Sequence, residues 1–132
     1  MVMLIKATNT SGNTQDVSLY AKPNMKLGQG RIDPGEESES ISAASQGGVD
    51  YLVETGPGGG HVIYTAIGGY DKAVCGTDAA VYDAAKGNGD PGSEQTCNGS
   101  GIVPVFQKTF SLAAGESATW GIAILFVNDN PA

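Results

Sequence analysis

Trp120-Gly121-Ile122-Ala123-Ile124-Leu125-Phe126-Val127 is the stretch that decides the fold. It is rich in β-branched and aromatic side chains and is closed by Asn128-Asp129-Asn130-Pro131, so it reads as a β-strand. Alternate residues of a strand point to opposite faces. Trp120, Ile122, Ile124 and Phe126 therefore share one face, and Gly121, Ala123, Leu125 and Val127 the other. Both faces are apolar, which predicts a central strand covered on both sides, with Trp120 in the core.

Upstream, Leu112-Ala113-Ala114-Gly115-Glu116-Ser117 turns the chain into this strand, and Ile102 to Phe110 reads as another. Pro104 inside that run points to an edge position or a bulge, because proline cannot donate to a ladder. Further strands are expected from Met1 to Thr8, Asp16 to Lys22, Leu27 to Ile32, Ser38 to Ala43, Val49 to Glu54 and His61 to Ile67. Between them lie turn clusters: Asn9 to Asn13, Pro23-Asn24, Asp33-Pro34-Gly35-Glu36 in a type II arrangement, and Thr55-Gly56-Pro57-Gly58-Gly59-Gly60. Turn-plus-strand units echo each other at Ile32 to Glu36 and Leu112 to Ser117. About seven to nine short strands at this spacing predict an all-β antiparallel sandwich, Ig-like or jelly-roll-like, formed by residues 1–132 as one domain.

Residues 68–101 are different in kind. They hold both cysteines, five acidic residues and many glycines, and read as one long Gly/Asp-rich loop. Ala79-Ala80-Val81-Tyr82 with Ala84-Ala85 is its one apolar patch, suited to a single helical turn or a short edge strand. Loops this long are usually functional or disordered. Cys75 and Cys97 are expected to form a disulfide that tethers it, worth about 3 kcal/mol on the chain-entropy model. That bond implies an oxidising compartment, extracellular or at a virion surface.

The chain has 20 glycines in 132 residues, which disfavours helices, and 14 acidic against 7 basic residues, for a net charge of −7. Phosphate backbones would repel it, so nucleic acid is not an expected partner. No stretch has the eighteen or so apolar residues of a transmembrane span, and the start shows no basic region of a signal peptide.

Most catalytic chemistries lack their parts. His61 is the one histidine, so any Ser–His–acid or Cys–His site depends on it, and with two oxidised cysteines a zinc set is not available. Glu36, Glu37 and Glu39 cluster at a turn, where they read as solvated charges. The expectation is no enzyme. Calcium is the one cofactor with a candidate site. Asp83 to Glu94 spans twelve residues like an EF-hand loop, but Ala85, Gly87 and Asn88 fail at its inner positions. A looser set of Asp78, Asp83, Asp90 and Glu94 remains, with Asn88 beside it. Tyr70, Asp71, Tyr82 and Asn88 are the candidate ligand-binding residues of the same segment. Two N-x-S/T sequons begin at Asn9 and Asn98. Tyr51 and Tyr64, on neighbouring strands, are candidates to pair across them.

The expected function is a non-catalytic structural, assembly or adhesion module, working as a homo-oligomer or with a protein partner, for which an edge strand such as the N-terminal one is the natural contact. The alternative is a lectin-like module that binds glycan or lipid through residues 68–101, with calcium as a helper.

Overall fold

A computed structural model describes residues 1–24, 39–56 and 60–128. Nine strands and one helix follow in the order β1 (Val2–Thr8), β2 (Gln15–Ala21), β3 (Glu39–Gln46), β4 (Val49–Thr55), β5 (Gly60–Ile67), β6 (Lys72–Thr77), α1 (Asp78–Asn88), β7 (Cys97–Gly99), β8 (Ile102–Leu112) and β9 (Ser117–Asn128). The expected strand Leu27 to Ile32, the turn at Asp33 to Glu36, Glu37, positions 57–59 of the glycine connector and positions 129–132 lie outside the described residues.

The strands form two antiparallel sheets, as the alternation predicts. The larger has six strands in the order β1-β9-β5-β4-β3-β7, the smaller three in the order β2-β8-β6. Alternate residues of the larger sheet face the smaller one. Ile41, Leu52, Val62, Tyr64, Trp120, Ile122 and Ile124 meet Ala21, Ala73, Cys75, Ile102 and Phe106 there in one core. Trp120 is buried in it and donates its indole N–H to the Gly69 carbonyl at 2.8 Å. Tyr64 points into the core from β5, opposite Leu52. Tyr51 is one residue from Leu52 and so takes the outer side of β4; the two tyrosines do not pair.

Pro104 shows how a proline fits inside a three-stranded sheet. It lies on β8, the middle strand, but β2 ends at Ala21 opposite Phe106, so beyond that point β8 has, among the described residues, a neighbour on the β6 side alone. The missing N–H falls at a local edge, where a proline removes no ladder bond.

Two sequence expectations need correction. First, residues 68–101 are not one loop. They contain β6, the eleven-residue helix α1 and β7. Overall glycine content hid the helix, but its ends carry ordinary signals. Thr77 is the N-cap, its hydroxyl accepting from Ala80 N–H, Asp78 sits in the first turn, and Gly89 closes the helix in the left-handed region at φ 78°. Four alanines favour the helix between them. The Val81 side chain packs on Val74, Val103 and Val105, so α1 forms a third layer on the outside of the smaller sheet. Gly76 permits that approach, since a Cβ there would come within 2.8 Å of Val81 Cγ1.

Second, β9 is central but not covered on both sides. It pairs with β1 and β5, yet Leu125 and Val127 on its outer face are exposed, and so is Phe126 on its inner face. A sheet of three strands cannot cover a sheet of six, and nothing among the described residues packs on the outside of the larger one. Gly121 is needed here for closeness: a Cβ would overlap the Met3 carbonyl oxygen of β1.

The expected disulfide is present. Cys75 on β6 and Cys97 on β7 are joined, with Cα atoms 6.2 Å apart. Because β6 belongs to the smaller sheet and β7 to the larger, the bond staples the two layers together.

Candidate functional site

Two surfaces have functional potential. One is the outer face of the six-stranded sheet. Registers place Val2 and Leu4 of β1, Ala123, Leu125 and Val127 of β9, Ile63 and Ile67 of β5, and Val53 of β4 on that face, in adjoining rows. Leu4 is 60% and Leu125 53% exposed. Strands about 4.8 Å apart and residues about 3.3 Å apart make this a patch of roughly 400 Å², the size at which exposed apolar surface usually has a use. Its electrostatics are as unusual as its hydropathy. The chain carries −7, yet no Asp or Glu occupies an outward position of β1, β9, β5, β4 or β3 among the described residues. Lys6 and His61 supply the titratable side chains there besides Tyr51; the His61 ring stands 2.8 Å from the Thr55 hydroxyl.

The second surface is a pair of clefts where the β3–β4 hairpin overhangs the smaller sheet. One, of about 360 Å³, is lined by Ala43, Ser45, Asp50, Leu52, Tyr70, Gln95 and Phe106, among others. Its neighbour, of about 500 Å³, includes Val49, Asp50, Thr65, Gly69 and Tyr70. Asp50 and Tyr70 line both. The Tyr70 hydroxyl donates to the Asp50 carboxylate at 3.1 Å, and its ring meets Phe106 edge-on at 5.9 Å. Partial burial and then the Asp50 carboxylate push the Tyr70 phenol above its ordinary pKa.

A buried acidic pair lies in the core. Glu54 of β4 is fully buried and Glu39 of β3 nearly so. Tyr64 donates its hydroxyl to Glu54 Oε1 at 2.6 Å, while Oε2 of each glutamate has no hydrogen-bond donor among the described residues. Burial first, and the facing Glu39 second, raise the Glu54 pKa to about 8. The Glu54 carboxyl therefore keeps its proton at neutral pH, close to Glu39. Glu39 is not the solvated turn charge that its neighbours in sequence suggested.

The sequence-predicted site residues do not converge. Tyr70 lines the clefts, but Asp71 is spent on the backbone, accepting from Thr109 N–H at 2.7 Å. Tyr82 lies on α1 with the Lys22 and Lys86 ammonium groups 5.6 and 5.9 Å from its ring, and it lines a separate apolar recess with Tyr20 and Ala85. Asn88 caps the turn after α1, accepting from Asp90 N–H. The calcium set is dispersed as well. Asp78 and Asp83 are helix residues, Asp78 is paired with Lys22, and Asp90 is paired with Lys72, which holds its carboxyl below the ordinary range. The Glu94 backbone carbonyl accepts from Cys75 N–H. No group of three or more metal-ligating side chains comes together among the described residues. Of the sequons, Asn9 is buried and its amide donates to the Asn13 and Leu112 carbonyls at 2.7 and 2.9 Å, whereas Asn98 is exposed on β7.

Asp50, Gln95, Glu54 and the Tyr64 hydroxyl went unnoticed in the sequence. One signal was there: Asp50 and Glu54 alternate with the outward residues of β4 and share the Leu52 face. The described helix is too short and polar to cross a membrane. In comparisons with known proteins, the chain matches no family model, no curated protein and no solved structure.

Proposed function

We propose that the protein is a non-catalytic assembly module that works by contact with copies of itself, through the outer face of its six-stranded sheet. One observation carries this: on a chain of net charge −7, the exposed apolar face is also the face free of carboxylates among the described residues. Like charges repel two copies in most orientations, and this face is where they approach at least electrostatic cost. The Cys75–Cys97 bond supports a location in an oxidising compartment or on the outside of a particle. Light scattering at about 100 µM, well above a micromolar Kd, is expected to give a multiple of 13.4 kDa. Leu125→Lys puts a charge at the centre of the face and is expected to lower that mass with the circular dichroism unchanged. A wild type that stays at 13.4 kDa would refute the reading.

The Asp50–Tyr70 clefts favour a second reading, a glycan-binding module. A carboxylate, a phenol and the Gln95 amide beside aromatic edges match the vicinal hydroxyls and apolar faces of a neutral hexose. Titration with galactose, mannose and glucose, followed by NMR, is expected to shift the backbone signals of Ser45, Asp50 and Tyr70 with Kd of roughly 1 mM, worth about 4 kcal/mol. Tyr70→Phe should weaken it severalfold. Absence of shifts with all three sugars rules this reading out.

A further inference from the structure

We infer that a second copy of the chain joins strand-to-strand along β1, antiparallel about a two-fold axis at Leu4, and that two such dimers stack through their joined faces; this rests on the outer face being the contact surface.

β1 ends the larger sheet, paired with β9 on one side and with no strand on the other among the described residues. Met1 and Ile124 exchange both backbone bonds, Met1 N to Ile124 O at 2.9 Å and Ile124 N to Met1 O at 2.7 Å. In an antiparallel ladder such pairs alternate. Met3, Ile5 and Ala7 therefore direct their N–H and C=O groups to β9, and Val2, Leu4 and Lys6 direct theirs to the open edge. With Leu4 opposite Leu4 of the second copy, Val2 falls opposite Lys6, and these pairs exchange six backbone hydrogen bonds.

The other edges are guarded, in the ways sheets normally avoid such pairing. β2 carries Asp16 and is followed by Pro23. Beside β6, the Glu94 carbonyl accepts from Cys75 N–H and the Gln95 amide donates to the Ala73 carbonyl. β7 is three residues long. β1 has seven residues, no proline, no acid and Lys6 as its one charge.

Area argues for the same partner. One face of roughly 400 Å² is about half of the roughly 800 Å² that each side of a standard stable interface buries. Pairing along β1 sets two faces side by side in one twelve-stranded sheet and doubles the patch to the required size.

The wild type is expected to have four times the 13.4 kDa chain mass. Leu4→Pro removes an edge N–H without touching a β9 bond and is expected to give monomer, since a single face is too small alone. Leu125→Lys is expected to stop at the β1 dimer, with half the wild-type mass. Leu4→Cys tests the axis without relying on the proline: a hydrogen-bonded pair places Cα atoms about 5.5 Å apart, within disulfide range, so mild oxidation should cross-link pairs. If assembly survives Leu4→Pro and Leu4→Cys does not cross-link, the β1 contact is wrong while the face reading stands. A monomeric wild type overturns both.

Discussion

Glu54→Gln is expected to stabilise the protein at pH 9 by about 3 kcal/mol and to change it little at pH 4, since each pKa unit is worth about 1.4 kcal/mol. The cause is the difference between folded and unfolded chains. Unfolded, Glu54 titrates near 4.5; folded, it holds its proton to about 8. Between those values the folded state binds more protons than the unfolded one, so stability falls as pH rises through the window and levels off above it. Full conversion of the shift would exceed 4 kcal/mol, and relaxation around the newly ionised group reduces it. The groups that face Glu54 are Glu39 from β3 and Tyr64 from β5. Burial and the same carboxyls raise the Tyr64 phenol above its ordinary value, so it remains a hydrogen-bond donor throughout.

Glutamine mimics the protonated acid. It accepts from Tyr64 and donates toward Glu39, but it cannot ionise. Denaturant unfolding of both proteins at pH 4, 6, 8 and 9 reads the effect directly: the difference should open between pH 5 and 8. A constant difference across the series would mean that Glu54 titrates as an ordinary exposed glutamate, against the burial seen here.

What the chain reveals about itself follows from the range of each interaction. Trp120 to Val127 shows its strand character and central position, because alternation is local. It cannot show that Leu125 stays exposed, because that depends on whether another layer packs on the outside of the sheet, which no single strand encodes. The same limit applies to Glu54. Its position two residues from Leu52 on the same face points inward, while its charge points outward, and Tyr64 and Glu39 from two other strands settle the conflict. Helix α1 was obscured for another reason. Composition averaged over 68–101 is glycine-rich, but Gly87 falls in the last turn and Gly89 just beyond it, where glycine terminates a helix more than it opposes one. Thr77 and Gly89, twelve residues apart around an alanine-rich run, were the readable signal. Asp50 shows its inward place on β4 and Tyr70 was a candidate, but nothing local joins the two, since the clefts arise between layers.

Replacing both cysteines by alanine is expected to cost about 3 kcal/mol and to lower Tm by about 10 °C for a chain of this size. The loss should have a local consequence as well. β7 meets the larger sheet through three residue pairs, Glu39 with Gly99, Ser40 with Asn98 and Ile41 with Cys97, and the disulfide is its one covalent tether, beside the Glu94, Gln95 and Gly101 hydrogen bonds that flank it. Glu39 pairs with Gly99 of that strand and is 6% exposed. Releasing β7 lets water reach Glu39 and, through it, Glu54, which then ionises at less cost. The two effects are therefore coupled, and a double-mutant cycle can measure it. In the cysteine-free background, Glu54→Gln should give markedly less stabilisation at pH 9 than in the bridged protein. An undiminished gain would show that β7 stays docked without its covalent bond, and that the Glu39–Glu54 pair is sealed by the sheets alone.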